Sequence, residues 1–329
     1  MPDPRSGEDA GILVRILGPL EIRAGGRFIE IPGRGQRILL ALLALNAGRM
    51  VSVDSLIDAV WDSRPPTRPR TALHAYIYRL RRFLRSCGVA ARVEARYEGY
   101  TLIIPPGATD CDEWNRLVAA GRTAAWEGRW REEVTYLRTA LALWRGSALT
   151  GVDTEAVQIE ARRLEAARDQ VLERCLTTEL ALGRYAEVVP ELEALVASHP
   201  YHEGWCAKLM IALYGCGRQA EALAVYARAR DQLVEQLGVE PGNELRRLQW
   251  EILAAHPPES LCRRLYAHPA ARPHGRESRR PEQAFVSDDP AVPRESRRGT
   301  PLRGVRVRAR SHESDRRQQP PITRQVDRQ

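Results

Sequence analysis

Between residues 64 and 96 the chain carries nine arginines and a single acid, Glu94. Guanidinium groups at that density suit phosphate neutralisation and paired hydrogen bonds to base edges. The stretch RPRTALHAYIYRLRRFLRS (68–86) sorts them by spacing. On a helical wheel of about 100° per residue, Leu73, Ile77, Leu80 and Leu84 form an inward seam. Arg68, Thr71, Ala75, Tyr78, Arg79 and Arg82 lie opposite, with Arg81, Arg85 and His74 flanking that face on one side. A helix fits the major groove of duplex DNA, where arginine meets guanine and threonine or alanine meets a thymine methyl. Ala75 is small enough to let the backbone approach the bases. The candidate DNA contacts are Arg68, Arg70, Thr71, Ala75, Tyr78, Arg79 and Arg82, joined by Arg96 from the segment that follows. The competing reading is an ordinary solvated arginine face, and the surrounding elements decide between the two.

Those elements alternate strand and helix. ILVRILGPLEI (12–22) is rich in β-branched residues and leads through Ala24-Gly25-Gly26 to a second strand, FIEI (28–31). RILLALLALNAG (37–48) is apolar nearly all round, as a central helix should be, and Gly48 stops it. In VSVDSLIDAVW, Ser52 caps a helix that Pro65 and Pro66 end. After the arginine helix, ARVEARYEGYTLII (91–104) reads as a β-hairpin whose turn contains Gly99. Strands, three helices and a hairpin describe a winged helix-turn-helix over residues 12–105, and in that setting the arginine face is a DNA surface.

From about residue 111 to 256 the pattern is helical throughout. LGRYAEVVPELEAL (182–195) and CGRQAEALAVYARA (216–229) match at an offset of 34, the tetratricopeptide period, and GRWREEVTYLRTALALW (128–144) is a looser third copy. The fold class is therefore mainly α with a small β component: a winged helix-turn-helix followed by an all-α tetratricopeptide-like domain. Residues 257–329 are dense in Arg, Pro, Ser and Gln, hold one phenylalanine (Phe285) and no tryptophan, and read as a disordered tail. The net charge of +8 equals that of this tail; residues 1–110 carry +5 and residues 111–256 carry −5.

Other classes find little support. The six cysteines are scattered without a CxxC pair, which argues against a zinc site or a disulfide framework and reads as reduced thiols. GxSxG, HExxH and a strand-borne GxGxxG are all missing from the sequence, so neither catalysis nor a cofactor or metal is expected. His199 and His202 of HPYH stand at a helix start with no carboxylate or cysteine cluster beside them. The tryptophans of the helical part read as core. No segment has the roughly 20 apolar residues that span a bilayer, and MPDPRSGEDAG lacks the order of a secretory signal. The expected location is cytoplasmic and nucleoid-associated, without a membrane partner.

VRILGPLEIRAGGR, QRILLALLALNAGRMVSVDSLIDAVW, RTALHAYIYRLRRFLR and EGYTL closely resemble the Streptomyces antibiotic regulatory protein family. ALALWRGSAL, LEALVASHP and the run from LMIALYGCGRQAEAL to ELRRLQWEIL resemble that family's bacterial transcriptional activator domain. The resemblance covers residues 12–255. It implies an OmpR-type DNA-binding domain, binding of double-stranded DNA at promoter direct repeats, recruitment of RNA polymerase holoenzyme, and activation of a secondary-metabolite (antibiotic) gene cluster. A homodimer on the repeats, paired through the acidic helical part, is expected separately, because a lone winged helix gains affinity by multivalency. The resemblance puts Arg79 at the base-reading position, Tyr78 where relatives often carry a polar or basic residue, and Arg96 in or near the minor groove. It also assigns polymerase contact to the loop of Asp62, Ser63, Arg64 and Thr67. With no GxxxxGK[ST] phosphate loop, the chain resembles the family's small members, which lack its ATPase. A helical-repeat adaptor that binds proteins and no specific DNA is the alternative reading.

Overall fold

The computed structural model describes residues 13–62 and 64–265. The apolar run expected as one strand divides into β1 (Val14–Arg15) and β2 (Glu21–Ala24). It breaks at Gly18-Pro19, where Gly18 takes φ +145° and Pro19 has no N–H to give a ladder. β3 (Arg27–Glu30) completes an antiparallel sheet in the order β1-β2-β3, with Val14 opposite Ile22 and Ile22 opposite Ile29. α1 (Arg34–Leu45) is buried without interruption from Ile38 to Ala44. Ser52 caps α2 (Val53–Trp61) as expected, its hydroxyl accepting the Ser55 N–H at 3.1 Å. That helix stops before its prolines, because Asp62 at φ +50° already turns the chain away. α3 (Pro69–Ser86) buries Leu73, Ile77, Leu80 and Leu84, the seam its periodicity predicts.

The hairpin is β5 (Arg92–Arg96) and β6 (Gly99–Ile103). Arg96 pairs with Gly99, so the turn is Tyr97-Glu98 and Gly99 belongs to the strand, one correction to the sequence reading. The other is β4 (Val51–Ser52), too short for any periodicity to show, which pairs with β6 in a sheet ordered β4-β6-β5.

Eight helices follow among the described residues: α4 (Asp110–Trp126), α5 (Trp130–Ala142), α6 (Glu155–Ala181), α7 (Tyr185–Ser198), α8 (Glu203–Gly215), α9 (Gln219–Leu237), α10 (Asn243–Leu253) and α11 (Pro258–Leu265). The loose third repeat proves to be the same device as the other two. Gly128, Gly183 and Gly217 adopt φ +74°, +76° and +77° between α4 and α5, α6 and α7, and α8 and α9. At each, the following arginine N–H (Arg129, Arg184, Arg218) bonds the carbonyl five residues back, and the glycine N–H bonds the one three back. These are Schellman turns, which need a residue at positive φ and so favour glycine.

The helical stack also runs past its expected end. The sequence reading starts a disordered tail at residue 257, but α11 follows directly, with Leu261 and Cys262 buried against α6 and α8. Two adjacent apolar side chains there find an apolar surface to bury against that no local periodicity reveals. Residues 266–329 of that tail, Ile12 and Ser63 lie outside the described residues. One further expectation changes. Trp114, Trp144 and Trp205 are core, whereas Trp126, Trp130 and Trp250 are exposed. His202 accepts the Trp205 N–H at 3.2 Å and so caps α8. Cys175, Cys206 and Cys262 are buried, Cys87 and Cys111 half-buried and Cys216 exposed; burial pushes the Cys175 thiol up to about 12.

One hydrophobic cluster extends from Val14 through the winged helix and α4 and α5 to Cys175 of α6, and a second occupies Leu176 to Cys262. The first is pinned at one point. Asp110, 1 % exposed at the start of α4, accepts the Ile16 N–H at 2.8 Å and the Leu17 N–H at 3.0 Å. Arg145 approaches the same carboxylate at 3.5 Å, bonds Glu21 at 2.6 Å and Pro19 O at 3.3 Å, and gives its own N–H to Leu17 O. Gly18 lies so close that a Cβ there would be 3.1 Å from that of Arg145. Burial pushes the Asp110 carboxyl above its ordinary value, against the pull of the two amides and Arg145. We expect Asp110→Asn to lower unfolding stability by about 2 kcal/mol, since its NH2 opposes a backbone N–H. A raised folded pKa contributes stability that is complete below the unfolded value and lost as pH rises through the folded one. The gap between wild type and variant in thermal unfolding should therefore widen as pH falls from 7 towards about 4.

Candidate nucleic-acid interface

The arginine face of α3 begins at its first turn, where Pro69 presets the helix and Arg68 is the capping residue. Arg68, Arg70, Thr71, Ala75, Tyr78, Arg79 and Arg82 are all exposed, Tyr78 by 60 %, while the four-residue seam opposite is buried. Arg79 extends past the Tyr76 ring, 5.4 Å from its centroid. Tyr76 itself packs 5.6 Å from Trp61 and against Gly35, where a Cβ would stand 2.7 Å from the ring; this close contact seats α3 on α1. Arg70 is drawn aside by Asp54 of α2 at 3.4 Å.

Arg81 has a different task from its neighbours. Half-buried, it turns back and donates Nε–H to Val93 O at 2.8 Å, with its guanidinium 5.8 Å from the Tyr100 ring. His74 meets the same ring edge-on at 6.5 Å. The hairpin thus lies along the flank of α3 marked by His74 and Arg81, beside the exposed face. Its turn is fastened at the other side: Glu98 O accepts the Val53 N–H at 2.9 Å, and a Cβ on Gly99 would fall 2.2 Å from Val51 O. Only glycine fits that approach.

On the outer side of β5, Arg92 and Arg96 converge on Glu94 at 2.7 and 3.0 Å. The hydrogen bond from Arg92, reinforced by both positive charges, holds the Glu94 carboxyl below the usual range. Arg96 is thus exposed as expected and already paired. At the tip stands Tyr97, fully exposed. Sequence reasoning passed over Tyr97 and noted Glu94 only as the lone acid, without its partners; the alternation Arg92-Glu94-Arg96 was the available signal for the second, and correct placement of the turn for the first. The Asp54 contact had none, because it joins two helices.

The loop before α3 lies outside this cluster. Asp62, Arg64 and Thr67 are exposed, with Asp62 4.0 Å from Arg34.

Comparison with known proteins matches residues 32–102 to the family described as transcriptional regulatory protein, C terminal, and residues 109–253 to the bacterial transcriptional activator domain. Regulatory protein DnrI of Streptomyces peucetius is 39 % identical over 252 residues, covering 74 % of this chain and 93 % of that protein. Regulatory protein AfsR of Streptomyces coelicolor is 40 % identical over 77 % of this chain, which spans only 25 % of AfsR. Among solved structures, Mycobacterium tuberculosis EmbR in complex with a low-affinity phosphopeptide aligns with a TM-score of 0.70 at 33 % identity, over 78 % of this chain and 69 % of that one. A winged helix-turn-helix sharing its core with a stack of helical hairpins, together with these relatives, defines a transcriptional regulator. The chain belongs to the Streptomyces antibiotic regulatory protein family.

The wing's seating has a direct test. Gly99→Ala is expected to cost about 1–3 kcal/mol in urea unfolding. Amide exchange should accelerate in β5 and β6 more than in α1; uniform protection in the variant would show that the Val51 contact does not hold the hairpin.

Proposed function

We propose that the protein is a sequence-specific DNA-binding activator of a secondary-metabolite gene cluster, acting at promoter direct repeats. α3 enters the major groove with Arg79 reading base edges beside Thr71, Ala75, Tyr78 and Arg82. Arg68 and Arg70 neutralise phosphates and Arg96 lies in or near the minor groove, which together supply affinity and a steep salt dependence. The observation that carries this reading is the division of α3 into a buried leucine-isoleucine seam and an exposed arginine face, with a rigid basic hairpin alongside.

Two finer assignments go with it. Two copies bind as a homodimer on the repeats, with pairing through the helical part, because one winged helix covers little duplex and gains from multivalency. RNA polymerase is recruited through Asp62, Ser63, Arg64 and Thr67; the exposure of Asp62, Arg64 and Thr67 and the family resemblance support that role. The shared core between Val14 and Cys175 means that tests belong on the full chain, since a cut near residue 110 would open it. Exposed Trp126 and Trp250 favour the adaptor reading, in which the helical part binds proteins and no specific DNA is bound.

Mobility shift at two salt concentrations, on duplexes selected from a random pool, separates the two readings: the activator gives a sequence-selective shift and an adaptor gives none. Arg79→Ala should weaken selected duplexes by about 1–3 kcal/mol and relax one base position, whereas Arg68→Ala should weaken all duplexes alike and reduce the salt slope by about 1. Glu94→Gln should act in the opposite sense. It frees Arg92 and Arg96 and removes a charge that repels phosphate, so affinity and salt slope should both rise. Probes with one and with two repeats, titrated by the full chain, read out the homodimer as cooperativity. In vitro transcription with Arg64→Ala should lose activation while keeping the shift.

A further inference from the structure

The exposed arginines of α3 and the hairpin are held in two different ways. Arg70 lies against Asp54, and Arg92 and Arg96 lie against Glu94, so carboxylates occupy part of their N–H donors. Arg79 is held by a ring. Its guanidinium carbon lies 5.4 Å from the centroid of Tyr76, about one helical turn before it. Among the described residues no carboxylate comes within ion-pair distance of Arg79. The difference bears on recognition. A carboxylate accepts the in-plane N–H groups that a guanine edge would take, whereas an aromatic ring attracts the cation through its face and leaves those donors free.

The ring is itself fixed from outside its own helix. Tyr76 is half-buried, and its centroid lies 5.6 Å from that of Trp61 on α2. On α1, a Cβ at buried Gly35 would come within 2.7 Å of the ring, so glycine leaves the aromatic its place. Both other helices of the winged domain therefore set where the ring stands, and through it where Arg79 points. A long arginine side chain otherwise surrenders rotamer freedom when it bonds a base, and a side chain already directed surrenders less. We propose that Tyr76 is the positioning residue for Arg79: seated by α1 and α2, its face directs the guanidinium towards the base edge, and selectivity at the base pair Arg79 reads depends on an aromatic side chain at position 76. This deepens the proposed DNA-binding function and rests on it. Tyr76 acts here through Arg79, which alone of the two meets the base.

The test uses the full chain and a duplex recovered from a random-sequence pool, with every base pair of the site replaced in turn. Arg79→Ala identifies the pair at which discrimination is lost. Tyr76→Leu keeps an apolar side chain beside Gly35 and Trp61 but removes the ring face. It should lower discrimination at that same pair about two- to fivefold, with the other pairs and the salt slope unchanged. Tyr76→Phe should discriminate like wild type. Adding Tyr76→Leu to Arg79→Ala should cause no further loss at that pair. Phenylalanines with one, two or three ring fluorines at position 76 keep the shape of the ring while weakening its negative face, so they cover the case of a Tyr76→Leu chain that does not fold. Discrimination should fall stepwise along that series. Equal discrimination across the series, a Tyr76→Leu chain that weakens all duplexes alike, or additive losses in the double variant would overturn the inference while the DNA-binding reading stands. A pool that yields no duplex would instead remove that reading, and this inference with it.

Discussion

A single buried carboxylate fixes how the two halves of this protein meet. Asp110 opens α4 and closes the β1–β2 loop by accepting two successive backbone amides, while Arg145 reaches the same point from beyond α5. An acid 1 % exposed is costly to bury unless its lone pairs are used, and here its loss would strand two buried amides together. Around it, Arg145 N–H and Leu149 N–H take Leu17 O and Ile16 O, so the loop is bonded on both sides. The winged helix is therefore not tethered by a linker; its sheet, α1 and the first helical hairpin share one core. The orientation of α3 relative to the helical stack is set before any partner arrives.

The same economy of charge recurs on the exposed side. Arg70 rests on Asp54, and Arg92 and Arg96 rest on Glu94, so much of the basic surface is satisfied in the free protein. Such exposed pairs are weak, each on the order of 1 kcal/mol or less, and phosphates can displace them at small cost. What remains is selectivity: an arginine already held in one direction loses less freedom on meeting a ligand there. Arg81 marks the limit of this pattern, since its bond to Val93 O makes it part of the scaffold.

Deeper in the molecule, ion pairs join the helical hairpins. Glu133 with Arg174, and Glu179 and Glu191 with Arg138, link α5, α6 and α7 near Cys175 and Leu176, where one hydrophobic cluster gives way to the next. Lys208, the one lysine of the chain, is buried on α8 and bonded to Glu173 at 2.9 Å. These pairs cost desolvation and return little net stability. Their value is directional, because a shift of one turn between helices would leave each charge alone.

Much of the architecture was legible in the residues. The 3.6-residue period of Leu73, Ile77, Leu80 and Leu84 identified the buried side of α3 and, by exclusion, its arginine face. Ser52 announced the start of α2, and the repeated segments at 182 and 216 announced paired helices, whose glycines at 128, 183 and 217 make turns of one kind. Such features depend on neighbours a few residues apart, whose chemistry travels with the chain. What the sequence left open depends on contacts across tens of residues. The pairing of β4 with β6, the docking of α11 and the joining of the winged helix to the first helical hairpin through Asp110 and Arg145 have no local signature. Neither does the fate of each arginine. Arg79 and Arg81 are two places apart in one helix, yet one faces solvent and the other is bound to Val93 O, because only the folded hairpin supplies the carbonyl that separates them.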